Sequence, residues 1–270
     1  LIQRDSRRFV LTKRGELLYK ECVDIYRSVA RIGDRLSEDH DDLTGLVRLL
    51  VVTHVVLPPL DRTLTLLNRK HPGVSVRIDV ANSQDIVRAV SQKLSPFGFC
   101  LLAKPLAGLD CRPLLREEFG ILCGRGHPLF GLSDVPLAEL RDEPFVALAC
   151  GQDGALEPMV SVREGAGLGS RVVGSSPNLE EVTRMIAAGL GIGILPLASV
   201  AEALESRSLW NLARPEDLLG ADLYFISNPA MQLSAAEEAF LRLFEQRLST
   251  AEEEPAAEAA AVLLSDPPVP

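Results

Sequence analysis

The chain has 270 residues, 47% of them hydrophobic, and its 28 lysines and arginines against 37 acids give a formal net charge of -9. That length suits two globular units, or one large one, of ordinary composition, and the acidic balance excludes a nucleic-acid partner held by the surface as a whole. The charge is uneven along the chain: residues 1–35 hold nine bases and five acids, residues 36–248 nineteen and twenty-seven, and residues 249–270 five acids and no base. A basic arm thus precedes an acidic body and an acidic tail.

Five cysteines (Cys22, Cys100, Cys111, Cys123 and Cys150) are odd in number, scattered and free of any C-x-x-C pair. This argues against a disulfide framework or a zinc site and points to a reducing, cytoplasmic compartment. The longest uncharged run, Met185 to Ala201, is broken by Gly189, Gly191, Gly193 and Pro196 and makes no membrane span. The N-terminus puts charges where a secretory signal would put an apolar run, and its first residue is not Met, so we expect the chain to start inside a longer protein.

In chain order, residues 7–12 read as a short strand ending at Thr12, an N-cap for a long helix. Leu18, Cys22, Ile25, Val29, Ile32 and Leu36 recur at alternating spacings of four and three, a heptad seam that predicts pairing with a second copy of the helix. From Lys13 to Asp39 such a helix spans about 40 Å. Leu46–Val52 is a strand, Pro58-Pro59 opens a helix with Leu60, Leu64 and Leu67 on one face, and Val74, Val76, Ile78 and Val80 alternate as a strand. Ser83 caps the next helix, with Ile86, Val87 and Val90 inward, and Phe97–Leu102 is a third strand. Strand, helix, strand, helix, strand is the grammar of a parallel α/β sheet.

The second half repeats that grammar less regularly. Strands are expected at Phe119–Cys123, Pro144–Leu148, from Arg171, at Gly191–Pro196 and at Leu223–Ser227. Leu137–Leu140 is a short helix, Asn178 caps a helix to Ala188 with Glu181 as its capping-box partner, and Gly189 stops it. Ser234-Ala-Ala-Glu237 opens a final helix with Phe240, Leu243, Phe244 and Leu248 inward, and the Glu/Ala/Pro-rich residues 249–270 carry no periodic face and read as a disordered acidic tail.

Leu1-Ile-Gln-Arg4 followed by Arg8-Phe-Val-Leu-Thr12-Lys-Arg-Gly15 resembles the wing and linker start of LysR-type transcriptional regulators. Gly45-Leu-Val-Arg-Leu, Leu57-Pro58, His71-Pro72, Asn82-Ser83, His127-Pro128-Leu129, Pro144-Phe145 and Ala188-Gly189-Leu-Gly191-Ile-Gly-Ile-Leu195-Pro196 fall where that family has recurring residues. Leu94-Ser95-Pro96-Phe97 departs from it, standing where the family has a small acidic turn. The resemblance implies an α/β fold of two Rossmann-like subdomains resembling type 2 periplasmic binding proteins, preceded by the wing of a winged helix-turn-helix and a long linker helix. Residues 1–12 are then the wing remnant, 13–42 the dimerisation helix and 44–248 the effector-binding domain. Subdomain I takes 44–118 and 222–248, and subdomain II takes 119–221.

On that footing Arg4, Arg7, Arg8 and Lys13 are candidates for DNA-backbone contact, positioning a duplex without reading its bases. Helices opening near Thr53 to Pro58, at Ser83 and at Asn178 follow strands, and their amide ends favour an anion. Thr53, His54, Ser83, Ser176 and Asn178 are therefore the expected effector contacts, with Phe99 and Phe145 as apolar walls and Pro196 placed beside them. The expected function is a DNA-binding, ligand-responsive transcriptional regulator, a homodimer or homotetramer, sensing a small carboxylate between its subdomains. The alternative is a stand-alone solute-binding protein of the same fold. No enzyme motif occurs, His40, His54, His71 and His127 have no metal-ligand spacing, and no metal or cofactor is expected.

Overall fold

The structure is a computed structural model that describes residues 1–5, 8–15, 17–19, 21–22, 25, 28, 43–53, 55–148, 163–165, 167–213 and 219–263. The chain forms two compact units. One comprises Leu1–Arg48, Leu57–Arg77 and Met231–Pro270, and the other Leu49–Val56 and Ile78–Ala230.

In the first unit, β1 (Ile2–Asp5) and β2 (Arg8–Leu11) pair antiparallel from Ile2↔Leu11 to Asp5↔Arg8, so the expected strand has a partner that four residues were too few to announce. Thr12 Oγ1 accepts from the Gly15 amide at 3.2 Å, the expected cap. Helical residues follow between 13 and 28; Leu18, Cys22 and Ile25 of the seam are exposed, as are Leu17 and Tyr19, while Val29, Ile32 and Leu36 lie outside the described residues.

Helix α1 (Pro58–Lys70) begins with two prolines, which need no amide acceptor in the first turn, and carries Arg69 and Lys70 in its last. Its buried face is Leu60, Thr63 and Leu67. Thr63 occupies the place expected of Leu64 because its hydroxyl donates to the Pro59 carbonyl at 2.7 Å and so costs little to bury. Helix α1 packs on the last helix, α5 (Ala235–Leu263), opened by the expected box: Ser234 Oγ accepts from the Glu237 amide and Glu237 Oε2 from the Ser234 amide, at 3.3 and 2.8 Å. Phe240 and Phe244 stack at 5.9 Å and are fully buried. The helix does not stop at Leu248. It runs to Leu263, over residues in which alanine and glutamate are strong helix formers even without an apolar face.

Strands β3 (Gly45–Val51) and β4 (Val74–Val80) run from the first unit into the second. The main sheet has the order β10-β6-β11-β5-β3-β4, with β9 also on β6. Here β5 is Phe97–Leu102, β6 Asp110–Gly124, β9 Gly193–Pro196, β10 Leu209–Asn211 and β11 Leu219–Ser227. β3 and β5 are parallel, as the sequence pattern predicts, but β11 is antiparallel to both β5 and β6, and β9 and β10 are antiparallel to β6, so the sheet is mixed. At the edge, Val76, Ile78 and Val80 of β4 are 39%, 46% and 66% exposed: their alternation places the strand correctly but lies on an open face.

The second unit turns on β6. Phe119 faces both Leu219 and Pro196, and Leu122 both Asn211 and Gly193, so β9 lies along one edge of β6 and β10 and β11 along the other. A second small sheet pairs β7 (Phe145–Leu148) parallel to β8 (Val172–Ser176). Helix α2 (Ser83–Ser91) packs on β5. Helix α3 (Leu179–Ala187) contributes Leu179, Val182 and Ile186 to a core with Leu122, Val146 and Leu195. The short α4 (Ala201–Glu205) precedes β10. Trp210 of β10 donates its indole N-H to the Leu132 carbonyl at 2.7 Å, with its ring 5.7 Å from that of Phe130.

Gly124 ends β6 directly under the C-terminus of α3, where a Cβ would stand 2.3 Å from the Ile186 carbonyl oxygen and 2.6 Å from that of Ala187. Gly124→Ala therefore forces backbone apart and should lower the free energy of unfolding by about 1–3 kcal/mol, read from urea denaturation. Gly126→Ala is the control, since nothing lies within 4 Å of its Cβ position.

Candidate functional site

Three strand ends are stitched together at one edge of the sheet. The Val52 amide donates to the Phe99 carbonyl at 2.9 Å, the Ala81 amide to the Val51 carbonyl at 3.1 Å, and the Leu101 amide to Ser83 Oγ at 3.2 Å. Thr53 and Asn82, both half-buried, emerge there side by side with the start of α2. The cap of α2 is Asn82 and not Ser83: Asn82 Oδ1 accepts from the Asp85 amide at 2.8 Å and its Nδ2 donates to the Asp85 carboxylate at 2.9 Å. Ser83 is fully buried and its hydroxyl serves β5. The spacing Asn82-x-x-Asp85 was the available signal, since an asparagine one residue earlier caps as well as a serine. His54 lies outside the described residues. α1 has no side-chain cap, so Thr53 is not spent on its amides.

A second group forms where β8 meets α3. Ser176 Oγ accepts from the Asn178 amide at 3.1 Å, and Asn178 Oδ1 from the Glu180 amide at 2.8 Å. The expected Asn178–Glu181 box does not form, because Glu181 pairs with Arg184 at 2.8 Å. Phe99 and Phe145 are fully or almost fully buried, and Pro196 is buried opposite Phe119. The Phe99 ring packs 5.2 Å from that of Phe225, tilted by 54°. These residues hold the framework behind the strand ends. In the departing turn, Ser95 is buried and donates to the Phe97 carbonyl at 3.1 Å, so its hydroxyl is engaged within the turn.

On the basic arm, Arg4 and Arg8 sit on the hairpin strands, Lys13 is exposed at the first turn of the linker helix, and Arg7 lies outside the described residues. Among the described residues no three His, Cys, Asp or Glu gather as a metal site. No described helix is long and apolar enough to cross a membrane. His127, expected in a turn, is buried there: Nδ1 accepts from the Leu129 amide and Nε2 lies 3.3 Å from Glu143, joining the turn after β6 to the segment before β7. Burial and the nearby Glu143 carboxylate push the Cys123 thiol up to about 11, so it stays protonated near neutrality and is no nucleophile.

Sequence reasoning missed Glu117. It lies on β6, only 6% exposed, and its parity with Phe119, Ile121 and Cys123 was the signal that it points inward with them. Burial raises its carboxyl above the usual value of 4.5.

Residues 40–249 match the LysR substrate binding domain, and the chain belongs to the LysR family of transcriptional regulators. It is 27% identical over 251 residues to the HTH-type transcriptional activator CmpR of Synechocystis, covering 89% of this chain and 79% of that one. An H2O2-bound mutant of Corynebacterium glutamicum OxyR superposes with a TM-score of 0.58 at 19% identity, over 97% of this chain and 83% of that one. The effector binding domain of QuiR in complex with shikimate does so with a TM-score of 0.62 at 15% identity, over 77% and 98%. The fold is that of LysR effector-binding domains.

Because the raised Glu117 carboxyl holds its proton more tightly in the folded state, its contribution to stability is complete below pH 4.5 and is lost as pH rises through the folded value. Glu117→Gln cannot ionise. Its melting temperature should gain on that of the parent from pH 4 to pH 8, and a constant difference across that range would refute the assignment.

Proposed function

We propose that the chain is the sensing part of a DNA-binding LysR-type regulator. A small anionic effector binds at the strand ends bearing Thr53, His54 and Asn82, with Ser176 and Asn178 across the domain. The observation that carries the reading is the stitched edge of β3, β4 and β5, where Thr53 and the first amides of α2 meet with a positive helix end behind them. Asp85 in that first turn is matched by Arg88 at 3.3 Å, which leaves the dipole available to a ligand. Shikimate, held by the QuiR domain, is a carboxylate of the proposed class.

The subdomain division at 118/119 and 221/222 fits this scheme. β6 leaves β11 and takes up β9 at Phe119, so bending there would move 119–221 against the rest as a body. Effector occupancy would shift the population of those arrangements, and the linker helix would carry the shift to the DNA-binding heads of a cytoplasmic homodimer or homotetramer. The exposed Leu18, Cys22 and Ile25 are the surface that a second copy covers. Arg4, Arg7, Arg8 and Lys13 would lie along the phosphates.

Thermal melts against a panel of small carboxylates, amines and neutral sugars test the effector class: a stabilising shift confined to carboxylates, reduced at least tenfold in apparent affinity by Thr53→Ala, is expected, and a shift with neutral sugars alone would sink it. For the seam, Ile25→Asp should convert the oligomer to monomer in light scattering. A parent chain already monomeric would revive the solute-binding alternative.

A further inference from the structure

A groove of about 440 Å³ opens between the first turns of α3 and the segment running from Ser199 through α4 to Ser208. Its floor is apolar, with Leu179 and Val200 only 3% and 4% exposed. The walls carry the Thr183, Ser206 and Ser208 hydroxyls and the Glu180 and Glu202 carboxylates, and no Lys, Arg or His lines it. Ser208 donates to the Ala203 carbonyl at 3.0 Å, and the Ser206 hydroxyl lies 3.3 Å from both that carbonyl and Ser208 Oγ, so each serine oxygen keeps a lone pair for whatever enters. Glu181, one residue along, is matched by Arg184, whereas no ion pair holds Glu180 or Glu202 among the described residues.

We infer that this groove binds a small organic ammonium ion, with its N-H groups on the carboxylates and serine oxygens and its carbon body on Leu179 and Val200. The lining offers acceptors and negative charge over an apolar floor, a volume in the range of small-ligand sites, and no cationic side chain to neutralise an anion. The site is of opposite sign to the one proposed at the β3 edge. It also shares a helix turn with part of the effector set, since Leu179 and Glu180 directly follow Asn178, whose side chain caps α3 through the Glu180 amide. An occupant that draws on Glu180 therefore bears on that cap, a coupling that rests on the reading above, whereas the groove's own ligand does not.

The test is a titration of the full, 15N-labelled chain with 1,5-diaminopentane, with glutarate as the probe of equal length and opposite charge, following the amide signals of Thr183, Ser206 and Ser208. Saturable shifts with the diamine and none with glutarate are expected. The double variant Glu180→Gln/Glu202→Gln, which changes only exposed charges, should weaken the diamine by about fivefold or more, and Ala203→Phe, which fills the groove, should abolish the shifts while circular dichroism stays unchanged. Glutarate binding there, the absence of saturation, or shifts unaltered by the charge variant would each overturn the proposal; the last would mean diffuse attraction to an acidic protein. These readouts stand whether or not a carboxylate stabilises the chain at Thr53.

Discussion

The second unit depends on the pairing of one fifteen-residue strand. β6 gives its first half to β11 and its second half to β9 and β10, and at Phe119 it is held on both edges at once. A backbone satisfied on both sides cannot slip by one residue without turning Phe119, Ile121 and Cys123 out of the interior. The register of β5, of β9 and of the strand ends that bear the candidate site is therefore set by a single continuous ladder. The bulge at Leu114 of β6, opposite the step from Leu223 to Tyr224, is absorbed within this ladder, a local adjustment of twist that leaves the pairing on either side intact.

Much of this was legible in residue order, and the misses share a cause. Helix starts with an apolar stripe and a cap, such as those at Thr12 and Ser234, fall within a residue or two of their expected places because cap and periodicity are local signals. Of β6 only Phe119–Cys123 is legible, because Arg112, Arg116 and Glu118 and the bulge at Leu114 interrupt the alternation of its first half. The three-residue β10 and the four-residue β1 are defined by their partners, which no local pattern reveals. Ser83 was taken for a cap where it is a buried strut, a distinction made by the Leu101 amide eighteen residues away. The sequence also marks the strand ends at which Thr53 and Asn82 emerge. Local order does not tell which side chains there are covered: Phe99, Phe145 and Pro196 are buried, whereas Thr53 and Asn82 stay half-exposed.

Electrostatics divides the second unit in a way that the net charge conceals. At α2 the first-turn acid is engaged by Asn82 and Arg88, and the helix end remains a positive surface. At α3 one acid is neutralised and its neighbour is not, so the first turn offers a carboxylate instead. Two helix starts built on the same strand-to-helix plan thus differ in how many first-turn acids are paired, and the difference comes down to whether an arginine stands three residues on from the particular acid.

The single tryptophan of the chain is Trp210. Its indole is tethered to Leu132 on a strand that pairs with the last three residues of β6, and its ring leans on Phe130. The protein thus carries a built-in optical probe beside the far end of its central strand. Light emitted by that one ring registers any loosening of β10 from β6, with no dye attached and no second indole to blur the signal.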